Sequence, residues 1–334
     1  MEIKQALLQS EKDEIREFLT SFDLTYRKDV NYTAYIEENG KIVGTVSLLG
    51  CVIMLLAVDK SMQGENLALK LVDHAITTLR TNGKYGYRAF TKPEYLPLFI
   101  DMGFRVLVKT DKFVSLEGGE SNIEKKVDGL VNKVVMEHGF IDSDTACMVI
   151  NGNPFTEGHL SLLEYALSKH RKLMLFVLEV DASYFSFKER FSLAFIGTRA
   201  SSERVSVLPS TEYIVSKETF PDYFIKEDND KTEAFAEYDA LIFKKYFMEK
   251  LGIVKRYFGS EESAYMQIYN AKMKEVLGDK AEIVDRFPKN EKVVSAKEVR
   301  RLIEEGKTDE AMQFIPTSNK SVMNLILSNK NVKR

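Results

Sequence analysis

From residue 145 onward the chain alternates short apolar runs with segments whose apolar positions recur at helical spacing, and this alternation restricts its fold more than any other feature. Cys147-Met148-Val149-Ile150 reads as a buried strand, and Leu160 to Leu167 as the helix behind it. Further strands are expected at Leu173–Leu178, Val205–Leu208, Glu212–Ser216, Ile253–Phe258 and Glu282–Phe287. Between them fall a helix opened by Phe187-Lys188-Glu189-Arg190-Phe191, a long amphipathic helix over Thr232–Leu251, and another over Ala264–Leu277. Repeated strand–helix alternation predicts a parallel sheet covered by helices on both faces. Ligands of such sheets bind at the carboxyl ends of the strands, where the turns fall.

One of those turns is chemically distinctive: Ile150-Asn151-Gly152-Asn153-Pro154-Phe155-Thr156-Glu157-Gly158-His159. Its end coincides with a helix start, where unpaired backbone N–H groups and the positive end of the helix dipole suit a phosphate. Pro154 fixes the chain entering the turn, Gly158 removes a side chain where a ligand would press on backbone, and His159 adds a donor. An ordinary strand-to-helix loop capped by Thr156 accounts for the same residues. A second helix start follows Val293-Val294: Ser295 is an N-cap with Glu298 as its capping-box partner, and Arg300 lies close enough to swing toward an anion. Capping alone explains Ser295 and Glu298, but not why two helix starts in one sheet each carry a phosphate-suited residue. Arg190 is a further candidate, with a helix-surface role as its alternative.

The N-terminal third has a different rhythm. Glu11–Phe22 carries a helical face, and strands at Tyr32–Glu37 and Lys41–Leu49 are joined through Asn39-Gly40, a hairpin signal. A buried strand, Cys51–Val58, leads through Gln63-Gly64-Glu65-Asn66-Leu67-Ala68 into a helix with Leu67, Leu71, Ala75 and Leu79 on one side. A strand at Tyr87–Thr91 and a helix at Glu94–Met102 come next. The charged, Gly-punctuated stretch from Glu117 to Ser143 reads as a linker carrying one helix, with Ile123, Val127, Leu130, Val131 and Val134 as its stripe. The expected domains are 1–118, a linker helix over 119–144, and 145–334.

Composition narrows the function classes. A formal net charge of -3 over 334 residues offers no broad basic face for nucleic acid. Cys51 and Cys147 sit far apart in apolar runs and read as core residues of a reducing compartment, and the four histidines lack ligand spacing. No signal pattern or membrane-length apolar run is present, so a soluble cytoplasmic protein without a membrane partner is expected.

Two resemblances follow from these motifs. The N-terminal order is similar to the acetyl-coenzyme-A-dependent N-acetyltransferase fold, whose Arg/Gln-Gly-x-Gly-x-Gly/Ala loop binds a pyrophosphate. Gln63, Gly64 and Ala68 are the matching cofactor-binding candidates, and Asn66 replaces the middle glycine. Thr156-x-Gly-His159 with Ser295-x-x-x-x-Arg300 resembles the signature pair of the nucleotidyltransferase superfamily. Ile150, Gly152, Lys297 and Glu262 depart from that superfamily's usual residues. The fold class implied is α/β, an acetyltransferase-like α+β domain followed by a doubly wound parallel-sheet, Rossmann-like nucleotidyltransferase domain.

With Asn-Pro-Phe-Thr-x-Gly-His, Ser-Ala-x-x-Val-Arg and Thr219-Phe220-Pro221-x-Tyr223-Phe224, the chain resembles the citrate lyase ligase family over essentially its full length. The resemblance implies an AMP-forming ligase. It would use ATP, Mg²⁺ and acetate to acetylate the thiol of the coenzyme-A-like prosthetic group on the acyl carrier subunit of citrate lyase, through acetyl-adenylate. His159, Thr156, Ser295 and Arg300 would then act on the phosphates. Asn153, Pro154, Phe155, Gly158, Gly259, Ser260, Glu261 and Lys297 would line the nucleotide. Two other readings stand beside it: transfer of AMP or CMP to a phosphate-bearing metabolite, and a non-catalytic binding protein on the same fold.

Overall fold

The computed structural model describes residues 1–62, 64–179, 183–215, 220–260, 263–285, 288–289, 292–293 and 295–332. The chain divides into two compact units, Met1–Lys125 with Pro221–Ala234, and Lys126–Phe220 with Phe235–Arg334.

The first unit is built on a seven-stranded sheet. Its elements are β1 (Ile3–Gln5), α1 (Gln9–Thr20), β2 (Tyr32–Glu38), β3 (Lys41–Leu49), β4 (Val52–Val58), α2 (Leu67–Thr81), β5 (Gly86–Thr91), α3 (Leu96–Asp101), β6 (Arg105–Lys109) and β7 (Val114–Gly119). The strand order is β1-β2-β3-β4-β5-β7-β6. Neighbours pair antiparallel except β4 and β5, which run parallel and register only at Val52 with Arg88 and Ile53 with Ala89. Beyond those pairs the two strands part. The apolar stripe of α2, including Leu67, Leu71, Ala75 and Leu79, packs on the sheet with Ile36, Val46 and Leu116 in one core.

Three strands of this unit lack a clear sequence signal: β1, β6 and β7. The residues read as the start of a linker, Glu117-Gly118-Gly119, close β7 instead, paired with β5. Their glycines serve close packing. A Cβ on Gly118 would stand 2.3 Å from the Tyr87 ring, and one on Gly119 2.2 Å from the Tyr85 carbonyl oxygen.

The second unit follows the expected alternation. Helix α4 (Ile123–His138) leads from the first unit into β8 (Thr145–Ile150), α5 (Glu157–Lys169), β9 (Lys172–Val177), α6 (Phe187–Gly197) and β10 (Val205–Pro209). Then come α7 (Asp228–Ile242), β11 (Ile253–Gly259), α8 (Ala264–Leu277), β12 (Ala281–Val284), α9 (Ala296–Glu304), α10 (Thr308–Ala311) and α11 (Lys320–Val332). The five strands lie in the order β10-β9-β8-β11-β12 and all pair parallel. Progression outward from β8 reverses at β11, so the crevice at the carboxyl ends of β8 and β11 is the topological switch point. The fold class is therefore the one the sequence implied, an α+β unit followed by a doubly wound parallel sheet.

Local differences have physical causes. Glu212 to Val215 forms turn and irregular backbone rather than a strand: Thr211 enters it at a φ of 66°, and the buried Tyr213, Ile214 and Val215 face the core without a ladder. Ser216 of that expected strand, and Phe287 of the one ending β12, lie outside the described residues. The long helix over Thr232–Leu251 starts earlier, at Asp228, and widens into a π-helical segment over Phe243–Met248. Among the described residues no helix is long and apolar enough to cross a membrane.

The core of this unit gathers Phe155, Leu163, Leu193, Val299, Leu302 and Met323. Gly197, at the end of α6, lies against it, and a Cβ there would sit 2.6 Å from the Phe155 ring and 3.1 Å from Asn319 Nδ2. Exchanging a helical Gly for Ala ordinarily stabilises. Here overpacking dominates, and Gly197→Ala is expected to cost about 1–3 kcal/mol, read as a lower urea midpoint. An unchanged or higher midpoint would show that Phe155 can retreat.

Candidate functional site

The turn after β8 runs directly into α5. Gly152 adopts a φ of 61°, which favours glycine, and Asn153-Pro154 is a cis peptide. Thr156 is the N-cap of α5, with extended backbone at φ -121° and ψ 169°. His159 occupies the third helical position, where a capping box places Glu or Gln. Its Nδ1 accepts the Thr156 backbone N–H at 3.0 Å and lies 2.9 Å from the Thr156 hydroxyl. An Nδ1 that accepts leaves the neutral imidazole with its proton on Nε2, a donor. The ring stacks on Phe155, centroids 5.5 Å apart. Thr156 thus stands at the N-cap with its hydroxyl paired to the imidazole rather than to a helix N–H, and His159 is both its partner and an oriented donor.

The second motif arrives on α9. Ser295 is its N-cap, and the Ser295 hydroxyl accepts the Glu298 N–H at 3.1 Å. Glu298 pairs its carboxylate with Arg301. Arg300, on the next turn, donates from one guanidinium nitrogen to the Asn153 carbonyl at 2.5 Å and to the Ala296 carbonyl at 3.1 Å. The two motifs, 147 residues apart in sequence, therefore touch. Partial burial lowers the affinity of Arg300 for its proton, against an opposing pull from Glu304, but an arginine remains charged at neutral pH.

The other sequence candidates take distinct places. Gly158 lies half-buried in the first turn of α5, where the next N–H, that of His159, donates to the Thr156 carbonyl at 3.0 Å. Asn153 is buried, and its side-chain oxygen accepts the Phe185 N–H at 3.1 Å, so it ties loops together. Pro154 is buried in the turn, and Phe155 lies wholly in the core behind His159. Gly259 ends β11 on the other side of the switch point, and the Ser260 N–H donates to the Val284 carbonyl at 2.8 Å. Glu261 and Glu262 lie outside the described residues, and Lys297 is exposed on the first turn of α9. Arg190 is not on a helix surface at all: it is fully buried and bonded to backbone carbonyls. Its burial depends on three separate segments, which no local pattern displays. Among the described residues no group of His, Cys, Asp and Glu has the makeup to hold a metal ion.

Gly64 and Ala68 belong elsewhere, in the first unit, and Gln63 lies outside the described residues. There the parting of β4 and β5 opens a cavity of about 440 Å³ walled largely by apolar side chains such as Leu56, Phe90, Phe99 and Met102. Lys60, Lys92, Gly64 and Ala68 also line it. Tyr223 closes one side; its buried hydroxyl donates to the Phe90 carbonyl at 2.7 Å. The cavity of the first unit is lined by residues other than those of the two helix starts.

The chain is similar to several known proteins. Residues 145–323 match the family model described as the citrate lyase ligase C-terminal domain. A "[Citrate [pro-3S]-lyase] ligase" of Klebsiella pneumoniae is 30% identical over 93% of this chain and 92% of its own length. One from Escherichia coli strain K12 is 30% identical over 87% of this chain and 84% of its own. Among solved structures, an acetyltransferase of the GNAT family from Staphylococcus aureus Mu50 aligns with 34% of this chain and 98% of its own, at 19% identity and a TM-score of 0.30.

The contact between the motifs yields a stability prediction. Arg300→Met leaves the buried Asn153 carbonyl without this donor and should cost about 1.5–3 kcal/mol, the usual worth of a hydrogen bond that involves a charged group. A urea midpoint equal to that of the unaltered chain would mean the contact does not hold α9 to the turn.

Proposed function

The chain belongs to the citrate lyase ligase family, and on that premise we propose that it is an acetate-activating ligase acylating the carrier thiol of citrate lyase at the expense of ATP. The observation that carries this reading is the hydrogen bond from Arg300 to the Asn153 carbonyl, which brings the second motif onto the first at the switch point of the sheet. We assign the chemistry to 145–334, with 119–144 as connector and 1–118 as an accessory domain.

In the proposed first step an acetate oxygen attacks the α-phosphorus of ATP, and the bond to the bridging β-phosphate oxygen breaks. Acetyl-adenylate and pyrophosphate result. No protein nucleophile is needed, so catalysis rests on position and charge. The first-turn N–H groups of α5, the Thr156 hydroxyl and the His159 Nε2–H face the reacting phosphates. Ser295 and Arg300 hold the β- and γ-phosphates, which favours departure of pyrophosphate. Arg300 reaches them by leaving two neutral carbonyls for an anion, an exchange that charge-assisted bonding favours. Mg²⁺ enters with the triphosphate, held through phosphate oxygens and water.

In the second step the carrier's sulfur attacks the acetyl carbonyl and AMP leaves. The thiol belongs to the partner. Cys147 cannot replace it, since complete burial pushes its thiol pKa up. The cavity of the first unit is of ligand size, and its apolar walls with Lys60 and Lys92 suit a pantetheine-like arm bearing phosphate.

The test is acetate-dependent exchange of labelled pyrophosphate into ATP, run with and without the thiol-form carrier subunit. Exchange that requires acetate is the expected result, with His159→Ala and Arg300→Ala slower by about 10²–10³-fold, the typical loss on removing one transition-state donor. Exchange that ignores acetate but answers to a phosphate ester would replace this reading with nucleotidyl transfer to a phosphate-bearing metabolite.

A further inference from the structure

We propose that Arg190 is the positioning residue of the nucleotide turn, acting through backbone carbonyls rather than on the nucleotide itself. The inference rests on the reading of the turn after β8 as the nucleotide site.

Arg190 sits on the first turns of α6 with 0% of its surface exposed. Burying a guanidinium is costly unless its donors are met. Its Nε donates to the Phe185 carbonyl at 3.1 Å, and one terminal nitrogen donates to the carbonyls of Asn151 and Leu178, each at 2.7 Å. Those oxygens belong to three segments: the turn after β8, the residue following β9, and the turn before α6. Within the sheet β8 and β9 are joined by ladder bonds as far as Ile150 and Val177, and the Leu178 N–H still reaches the Ile150 carbonyl at 3.0 Å. Past that point the ladder stops. Arg190 bridges the next pair of carbonyls, those of Asn151 and Leu178.

The bridge extends to the motif itself. Arg190 holds the Phe185 carbonyl, and the Phe185 N–H holds the side chain of Asn153. The Asn153 carbonyl in turn receives Arg300. Two arginines from two helices thus fix the turn at Asn151 and Asn153, just before the cap residue Thr156 and His159. Two other roles for Arg190 conflict with the geometry. A surface role is excluded by its burial, and the Nε and the terminal nitrogen that bond to carbonyls are already engaged.

Lysine would keep the charge and lose the planar fork, which is what a positioning role depends on. A small displacement of aligned groups can cost up to about 10²-fold in rate. The experiment compares unaltered protein with Arg190→Lys by ATP·Mg²⁺-dependent thermal shift and by the ATP dependence of pyrophosphate exchange. The expected result is a rise of about tenfold or more in the ATP concentration each requires, with the KM for acetate unchanged. A core-filling arginine would instead lower the melting midpoint and leave both ATP titrations where they were, and that outcome overturns the proposal. Should Arg190→Lys fail to fold, hydrogen exchange on the unaltered protein decides. ATP·Mg²⁺ should slow exchange at 151–159 and 183–190 together, and protection confined to 151–159 contradicts the bridge. An unaltered protein that shows no response to ATP·Mg²⁺ removes the nucleotide reading, and the role of Arg190 with it.

Discussion

The second unit is organised around one hydrogen bond, from the Arg300 guanidinium to the Asn153 carbonyl. Everything that makes it possible is non-local. The parallel ladder sets β8 beside β11, and α9 returns to the turn after β8 following a further helix and strand. Its two partners are local devices of a common kind, a helix N-cap with a charged or polar side chain nearby. Each alone is an ordinary helix start. Set against each other, they bring the Thr156–His159 pair and the Arg300 guanidinium to one turn.

Burial explains why the turn can hold such groups steady. Asn153, Pro154, Phe155 and Thr156 are all buried, so this loop is packed like core. Its polar atoms are met by specific partners: Phe185 for the Asn153 side chain, His159 for the Thr156 N–H, Arg190 and Arg300 for two carbonyls. The bonds to the Asn153 side chain, the Thr156 N–H and the Asn151 carbonyl hold the turn in place, because losing any of them would strand a buried group.

How much of this was legible in the sequence depended on range. Periodicity displayed the alternating strands and helices of the second unit, the hairpin at Asn39-Gly40, and the caps at Thr156 and Ser295, all of which rest on neighbours within a few residues. Signals that depend on distant partners were silent or misleading. Gly118 and Gly119 look like loop punctuation, yet they close a strand because Tyr85 and Tyr87 lie against them. Pro221–Ala234 packs with the first unit, although it falls between β10 and β11 of the second. Arg190 is a site candidate in the sequence with a helix-surface role as its alternative, and only the folded sheet assembles the three carbonyls it serves.

The most direct test of the account is a crystal structure with Mg²⁺ and a non-hydrolysable ATP analogue. The account predicts a triphosphate seated on the N-terminus of α5 between His159 and Arg300, with the guanidinium moved from the Asn153 carbonyl onto phosphate oxygen. A nucleotide bound away from the switch point, or phosphates there with Arg300 still on Asn153, would contradict it.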